Sequence, residues 1–287
     1  MNISRKAFLQ GVIATGATAA FGGGDSAISL AGRCIMPPGR RLRIAHMSDP
    51  QFGFGQKYST VEENYPVDME RFEKAIERVN CLAPDLALIT GDMTHHMEDV
   101  VKDWPRLLKK FKVPVAVAPG NHDMGNHVTK ENYKRHISVF GYDRKAFDLK
   151  DWRIIVGNTQ FIFSTALKDE QAQYEAWLKE ELESAKKYAG RVILAGHYPP
   201  FVNGWNEKDS YENFPRSLRA DRMRKYRDAG ANFFLAGHTH RLGVRGYKNL
   251  TILNAEVTCN SFDCRPYGFR MFEIGEDMNY SYNFIGV

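Results

Sequence analysis

The sequence has few of the features that assign a chain to a specialised class of protein. It contains no block of lysines and arginines and no stripe of alternating aromatic and basic residues, and its formal net charge of +5 over 287 residues is mild. Nucleic-acid binding is therefore not expected. No internal repeat, low-complexity block or long linker follows Pro38. No zinc-finger spacing relates the four cysteines, which are Cys34, Cys81, Cys259 and Cys264.

The composition is ordinary for one compact globular domain. Hydrophobic residues make up 43% of the chain and charged residues 25%, and the length permits a large buried core. We expect residues 40–287 to form this domain. Cys259 and Cys264 are near enough in sequence to pair in an oxidising compartment, if their geometry allows it.

The first 31 residues differ from the rest. Arg5 and Lys6 precede a weakly apolar run at residues 11–20, which is too short and too rich in small side chains to span a membrane comfortably. A positive start, a modest apolar run and the small residues Ala17 and Ala19 are typical of a secretory leader. The start also resembles a twin-arginine signal in which Lys6 replaces the second arginine.

We therefore predict that residues 1–31 are an export leader that is cleaved, and that the protein reaches a bacterial periplasm without a membrane span. The alternatives are a retained membrane anchor and a disordered cytosolic tail.

Five short apolar runs each end in polar residues that can bind metal ions; the runs are residues 42–47, 86–90, 113–118, 192–195 and 233–236. Runs of this length, rich in Val, Ile and Leu, predict buried strands, and helical patterns lie between them, so we expect an α/β fold. In such folds the functional groups gather beyond the carboxyl ends of the strands. The side chains at those five ends are Asp49, Gln51, Asp92, Asn121, His122, His197, His238 and His240.

These side chains offer oxygen and nitrogen ligands without thiolates. Such a set suits Mn, Fe, Zn or Ni rather than Ca. About seven candidate ligands exceed the four that one tetrahedral zinc takes. Two divalent or trivalent ions that share a carboxylate fit better, and such pairs catalyse phosphoryl displacement.

The order of these motifs resembles the signature of the calcineurin-like metallophosphoesterases. The resemblance extends from about residue 42 to 260, and its most specific parts are Gly120-Asn121-His122-Asp123 and Gly237-His238-Thr239-His240. It implies a four-layer α/β/β/α sandwich, in which helices flank a double β-sandwich and the metals lie at the sheet ends. It also implies hydrolysis of a phosphoester by a metal-bridged hydroxide.

The same resemblance implies a role for each residue. One metal would bind Asp49, Asp92 and His240, and the other would bind Asp92, Asn121, His197 and His238. Catalysis would depend on Asp92, Asn121 and His122, with His122 acting as the general acid. His122 and Asn121 would also bind the phosphate, and His95 is close enough in sequence to Asp92 to reach it.

One position departs from the family pattern. The usual first motif is Asp-x-His, whereas this chain has Asp49-Pro50-Gln51, so that Gln51 would offer the first metal an amide oxygen. Residues 48–53, 209–215 and 268–270 resemble a branch that includes a eukaryotic serine/threonine phosphatase. This favours phosphate monoesters, either small molecules or phosphoproteins. The alternatives are a phosphodiesterase acting on nucleotides or lipid head groups, and a phosphate-ligand binding protein with a weakened metal site.

Several other residues carry weaker expectations. We expect His46 to be a hydrogen-bonded core histidine, Cys81 to be buried, and His127 and His136 to be exposed. The polar and aromatic segment 205–213 is either a loop that covers the substrate or a solvated connection.

Overall fold

The computed structural model describes residues 41–54, 61–96, 99–258, 261–262 and 264–287. The predicted leader (residues 1–31), Cys34 and Cys259 lie outside this range, so the predictions of export and of a Cys259–Cys264 pair stay predictions. The α-helices of the described part are α1 (Val61–Leu82), α2 (Val100–Leu108), α3 (Asn121–Met124), α4 (Lys130–Phe140), α5 (Lys168–Ala185) and α6 (Arg216–Asp228).

The strands form two sheets. The first has the order β11-β10-β1-β2-β3 and the second the order β4-β5-β6-β7-β9-β8. Their bounds are β1 (Leu42–Met47), β2 (Leu86–Ile89), β3 (Val115–Val117), β4 (Lys145–Leu149), β5 (Trp152–Val156), β6 (Val192–Ala195), β7 (Ala231–Ala236), β8 (Gly243–Tyr247), β9 (Leu250–Asn254), β10 (Gly268–Ile274) and β11 (Tyr280–Gly286).

Parallel pairing places the ends of the predicted strands on shared sheet edges. β1, β2 and β3 run parallel in the first sheet, and β5, β6, β7 and β9 run parallel in the second. The five apolar runs of the sequence become β1, β2, β3, β6 and β7. All five polar clusters therefore follow carboxyl ends of parallel strands, as predicted.

Three clusters of buried side chains hold four layers together. Successive residues of a strand point to opposite faces, so Ile44 of β1 packs between the two sheets while Ala45 packs toward α1 and α2. Phe234 of β7 packs against α5 and α6 on the outer side of the second sheet. The predicted α/β/β/α sandwich is confirmed, and burial on both faces explains why the strands are continuous apolar runs.

Some smaller expectations are wrong. His136 is 1% exposed, because α4 turns Asn132 and His136, one helical turn apart, toward the interior. Cys81 is exposed, because Phe72, Ile76 and Val79 form the inward face of α1 and Cys81 follows on the opposite side. Within the described residues, no helix combines the length and the apolar character that a membrane crossing requires.

Candidate metal centre and active site

Among the described residues, five side chains from the ends of β1, β2, β6 and β7 converge into two groups that share one carboxylate. The first group is Asp49, Asp92 and His240, and the second is Asp92, His197 and His238. Within each group, the potential ligand atoms lie within 4.8 Å of one another, and all these side chains are buried. The geometry thus brings together residues up to 191 positions apart and makes Asp92 the common member.

Asn121 lies beside the second group. Its Oδ1 is 2.9 Å from His197 Nε2, which is itself 3.3 Å from Asp92 Oδ1 and 3.1 Å from His238 Nδ1. In the first group, His240 Nε2 is 3.4 Å from Asp49 Oδ1. Several lone pairs therefore point into one small, buried volume, which is the arrangement that a cation requires.

Two buried oxygens support this interpretation. Asp49 Oδ1 and Gln51 Oε1 have no hydrogen-bond partner among the described residues, although both residues are almost completely buried. A buried acceptor without a partner costs about 1–3 kcal/mol. A metal ion would satisfy both oxygens. The residues present therefore fit metal ions, including Gln51 at the position where the family usually has histidine.

The backbone at the site is strained. Residues other than glycine rarely adopt a positive φ, because the side chain then crowds the backbone. Such strain persists only where the surrounding structure enforces it, typically at functional sites. Five of the predicted ligand residues have positive φ: Asp49, Gln51, Asp92, His238 and His240.

Two of the motif glycines are required for space. A Cβ atom on Gly120 would lie 2.1 Å from Asp92 Oδ1, and one on Gly237 would lie 1.9 Å from Ser48 Oγ and 2.7 Å from Asp49 Oδ2. Any larger residue at either position would displace a predicted metal ligand. Glycine precedes these clusters because the neighbouring carboxylate occupies the place of a side chain.

Hydrogen bonds fix the orientation of the candidate ligands. His197 Nδ1 lies 2.7 Å from the Thr90 carbonyl, which can only accept, so Nδ1 carries the proton and Nε2 faces Asp92 and Asn121. Asp49 Oδ2 accepts from the backbone N–H of His238 at 3.0 Å and from the hydroxyl of Ser48. These bonds leave Asp49 Oδ1 directed at His240.

Asp123 is a positioning residue whose role is not apparent from the sequence. Its carboxylate accepts hydrogen bonds from the backbone N–H groups of Gly120 (2.6 Å), Asp92 (3.0 Å) and Met93 (2.9 Å). It thereby joins the loop after β3 to the loop after β2, which carries Asp92. In the sequence, the one sign that Asp123 belongs to the site was its place at the end of the Gly-Asn-His-Asp motif.

Neighbouring charges in the two groups shift one another's pKa values. Burial opposes ionisation of Asp92, but the neighbouring His197 outweighs it and holds the pKa of Asp92 below its usual value. Burial likewise opposes protonation of His197, yet Asp92 raises the pKa of His197 to about 9. Burial lowers the pKa of His238 to about 3. Since an imidazole must lose its proton to bind a metal, uptake of an ion by His197 would release one.

His122 lies at the edge of the two groups. Its backbone N–H donates to Asp92 Oδ1 at 2.8 Å, and its Nδ1 lies 2.9 Å from the His95 carbonyl. Because that carbonyl accepts, Nδ1 carries a proton and Nε2 is left for other contacts. The His95 ring stacks on the His122 ring with centroids 5.1 Å apart. The structure thus places His95 beside His122, outside both groups; a contact between His95 and substrate stays a prediction.

Two further expectations concern His46 and segment 205–213. His46 is a core histidine, as predicted, because Tyr282 Oη lies 2.7 Å from its Nδ1 and Thr90 Oγ1 lies 3.0 Å from its Nε2. Segment 205–213 reaches the second group through Tyr211, whose ring centroid is 4.8 Å from that of His238.

The fold and the site define a metallophosphoesterase. The sequence model described as calcineurin-like phosphoesterase matches residues 42–242, and the chain belongs to this family of phosphoester hydrolases. Over 233 residues it is 29% identical to serine/threonine-protein phosphatase CPPED1 of Rattus norvegicus, with 74% of each chain covered. Over 185 residues it is 30% identical to a probable cyclic nucleotide phosphodiesterase of Vesicomyosocius okutanii. That match covers 60% of this chain and 72% of the relative.

A solved structure shows the same fold. The crystal structure of a dimetal phosphatase from Danio rerio superimposes with a TM-score of 0.60 at 14% identity, covering 85% of this chain and 97% of that one. The identity is low, so this likeness supports the four-layer architecture and carries no argument about the substrate.

Proposed function

We propose that the protein is a metal-dependent phosphatase that hydrolyses phosphate monoesters. The observation that carries the proposal is the convergence of two buried ligand groups on Asp92, with the partly exposed imidazole of His122 at their edge. One ion would be held by Asp49, Gln51, Asp92 and His240. The other would be held by Asp92, Asn121, His197 and His238.

Bound ions would supply Lewis acidity, which activates water and offsets the charge of the phosphoryl group. The protein's own residues would do the rest. Asn121 and His122 would bind phosphate oxygens and set the direction of attack. His122, whose Nδ1–H is held by the His95 carbonyl, would in its imidazolium form give the second proton, on Nε2, to the departing oxygen as the P–O bond breaks.

A cavity that reaches the loop between two of the predicted ligands carries arginine side chains, which would suit a phosphate monoester. Its volume is about 310 Å³, and its wall includes Thr239, which lies between His238 and His240. Arg241 and Arg245 also line it; Arg241 pairs with Glu212 at 3.0 Å, whereas Arg245 has no carboxylate partner within the described residues. A monoester dianion needs more positive charge around it than a diester, and guanidinium groups bind phosphate well.

The matches to known relatives also favour a phosphatase, because the phosphatase match covers more of this chain than the phosphodiesterase match does. The named protein phosphatase matches 74% of the chain, and the probable cyclic nucleotide phosphodiesterase matches 60%. The second match keeps hydrolysis of phosphodiesters as the alternative function.

A paired assay tests the proposal. Purified protein is loaded with Mn²⁺, Fe²⁺ or Zn²⁺ in turn, and kcat/KM is measured for p-nitrophenyl phosphate and for bis(p-nitrophenyl) phosphate. We expect the monoester to be the better substrate, with activity lost in Asp92→Asn and retained in the matched control Asp277→Asn, which changes an exposed aspartate. Preference for the diester would establish the alternative. Metal binding without turnover of either ester would indicate a phosphate-binding protein.

A further inference from the structure

A residue outside the family motifs touches two of the predicted ligands of the second ion. Tyr211 belongs to segment 205–213, between β6 and α6. Its hydroxyl lies 2.7 Å from Asn121 Nδ2 and 2.8 Å from Asn126 Oδ1. Its backbone carbonyl lies 3.1 Å from His238 Nε2. One residue therefore contacts Asn121 through its side chain and His238 through its main chain.

The hydroxyl contact determines which end of the Asn121 amide faces the metal centre. A phenol has one proton, which it donates to Asn126 Oδ1, so its oxygen accepts from Asn121 Nδ2. Asn121 Nδ2 also donates to Asn126 Oδ1 at 3.0 Å. With the nitrogen held on this side, Asn121 Oδ1 faces His197 Nε2 at 2.9 Å, beside the second predicted metal position.

The carbonyl contact determines which nitrogen of His238 is available. Because the Tyr211 carbonyl accepts, Nε2 carries the proton of this ring and Nδ1 is left with its lone pair. Nδ1 is the atom that faces His197. Partners of this kind fix the ring orientation of metal-binding histidines, and their loss typically lowers metal affinity 10–100-fold.

The segment that carries Tyr211 is held by several polar contacts, although the residue itself is 56% exposed. The Glu207 carboxylate accepts from the backbone N–H groups of Val202 (2.8 Å) and Asn203 (2.7 Å). The buried Arg219 donates to the carbonyls of Trp205 (2.9 Å) and Glu207 (3.1 Å). These contacts fix the course of the segment, although Asn206 and residues 208–211 are exposed.

We propose that Tyr211 is a positioning residue for the second metal ion, and that its hydroxyl sets the orientation of Asn121. The proposal rests on the proposed metal-dependent function, and it is independent of the choice between monoester and diester. Tyr211 acts here through Asn121 and His238 and is not assigned a contact with substrate.

The test is a metal titration of Tyr211→Phe. This substitution removes the hydroxyl and keeps the ring and the backbone carbonyl, so the His238 contact survives. Zn²⁺ affinity is measured by competition with a chromophoric chelator, on the full protein after removal of metal. We expect two equivalents in wild type, and in the variant one affinity unchanged and the other lowered about tenfold or more.

The matched control is Tyr188→Phe, which also removes a phenolic hydrogen bond, to Asp148 at 2.6 Å, but on the surface. It should leave both affinities unchanged. Asn126→Ala, which removes the acceptor of the Tyr211 hydroxyl, should weaken the same ion as Tyr211→Phe. At saturating Zn²⁺ the kcat of Tyr211→Phe should return toward the wild-type value, because the orientation is then enforced by the metal.

Two results would overturn the proposal. One is a Tyr211→Phe protein with both affinities unchanged, whatever its activity; a kcat that stays low under saturating metal would then assign the hydroxyl to the substrate. The other is an equal loss at both ions, which would indicate a general disturbance of the site. A wild-type protein that binds no metal would instead defeat the proposed function itself, so the two failures are distinguishable.

Discussion

The substitution His122→Ala separates chemistry from structure at this site. His122 is partly exposed and lies outside both ligand groups, and its bond to Asp92 Oδ1 comes from the backbone N–H, which alanine retains. What alanine removes is the contact of Nδ1 with the His95 carbonyl, the stacking on the His95 ring and the edge-to-face contact with the Phe54 ring. We therefore expect the variant to fold and to keep its metals, with a stability loss of about 1 kcal/mol.

The expected loss of activity is larger. General acid catalysis contributes about 10²–10⁴-fold, which corresponds to about 3–5 kcal/mol in the activation free energy. The variant should lose this amount with an alkyl phosphate such as phosphoserine, whose departing alkoxide needs a proton. An aryl phosphate such as p-nitrophenyl phosphate has a stable leaving anion and should lose less.

The measurement is kcat/KM for both esters, together with the metal content of each preparation. The control is His127→Ala, which removes an exposed histidine five residues away and should change neither quantity. An equal fall for the two esters would refute the acid role and leave phosphate binding alone. A His122→Ala protein without metal would place His122 among the ligands.

Four further predictions follow from the site, the core and the leader. Asp92→Asn should lose both ions, since Asp92 belongs to both groups, and metal analysis that finds two equivalents would exclude a bridging role. Gln51→His should raise occupancy at the first ion, because imidazole binds transition metals better than an amide oxygen; unchanged occupancy would mean that Gln51 is not a ligand. Burial lowers the pKa of His136 to about 3, below its unfolded value of about 6.5, so the unfolded state takes up the proton first and stability falls as the pH drops through that window. In urea melts with chelator, the free energy of unfolding of His136→Leu should fall about 2 kcal/mol less than that of wild type between pH 7 and pH 5. In cells, Arg5→Ala/Lys6→Ala should prevent export and cleavage, and an unchanged distribution in cell fractions would contradict the leader.

Much of the fold was readable in the sequence because its strands are buried on both faces. That burial requires continuous apolar runs, and the five runs predicted as strands are β1, β2, β3, β6 and β7. The ligand types were readable for a related reason. Polar residues such as Asp49 and His197, placed at the ends of apolar runs, stand out against the composition of a core.

The exposures of single helical residues were less readable. His136 and Cys81 have neighbours of similar polarity, and the side of the helix that each occupies depends on what packs against it. The sequence shows Asp123 as the last residue of a motif. Its three backbone hydrogen-bond partners, however, come from two loops that only the fold brings together.

By itself, the sequence predicted an α/β fold and the chemical nature of the candidate metal ligands, because these depend on local hydrophobic patterns and on residue types. The α/β/β/α arrangement followed from the resemblance of the ordered motifs to a known family. The tertiary structure decided the orientation of those ligands. The positive φ of Asp92 and the approach of Tyr211 to Asn121, 90 residues away in the chain, arise from contacts between distant segments. No local pattern encodes such contacts, because a hydrogen bond of this kind depends on where two independent loops meet in space.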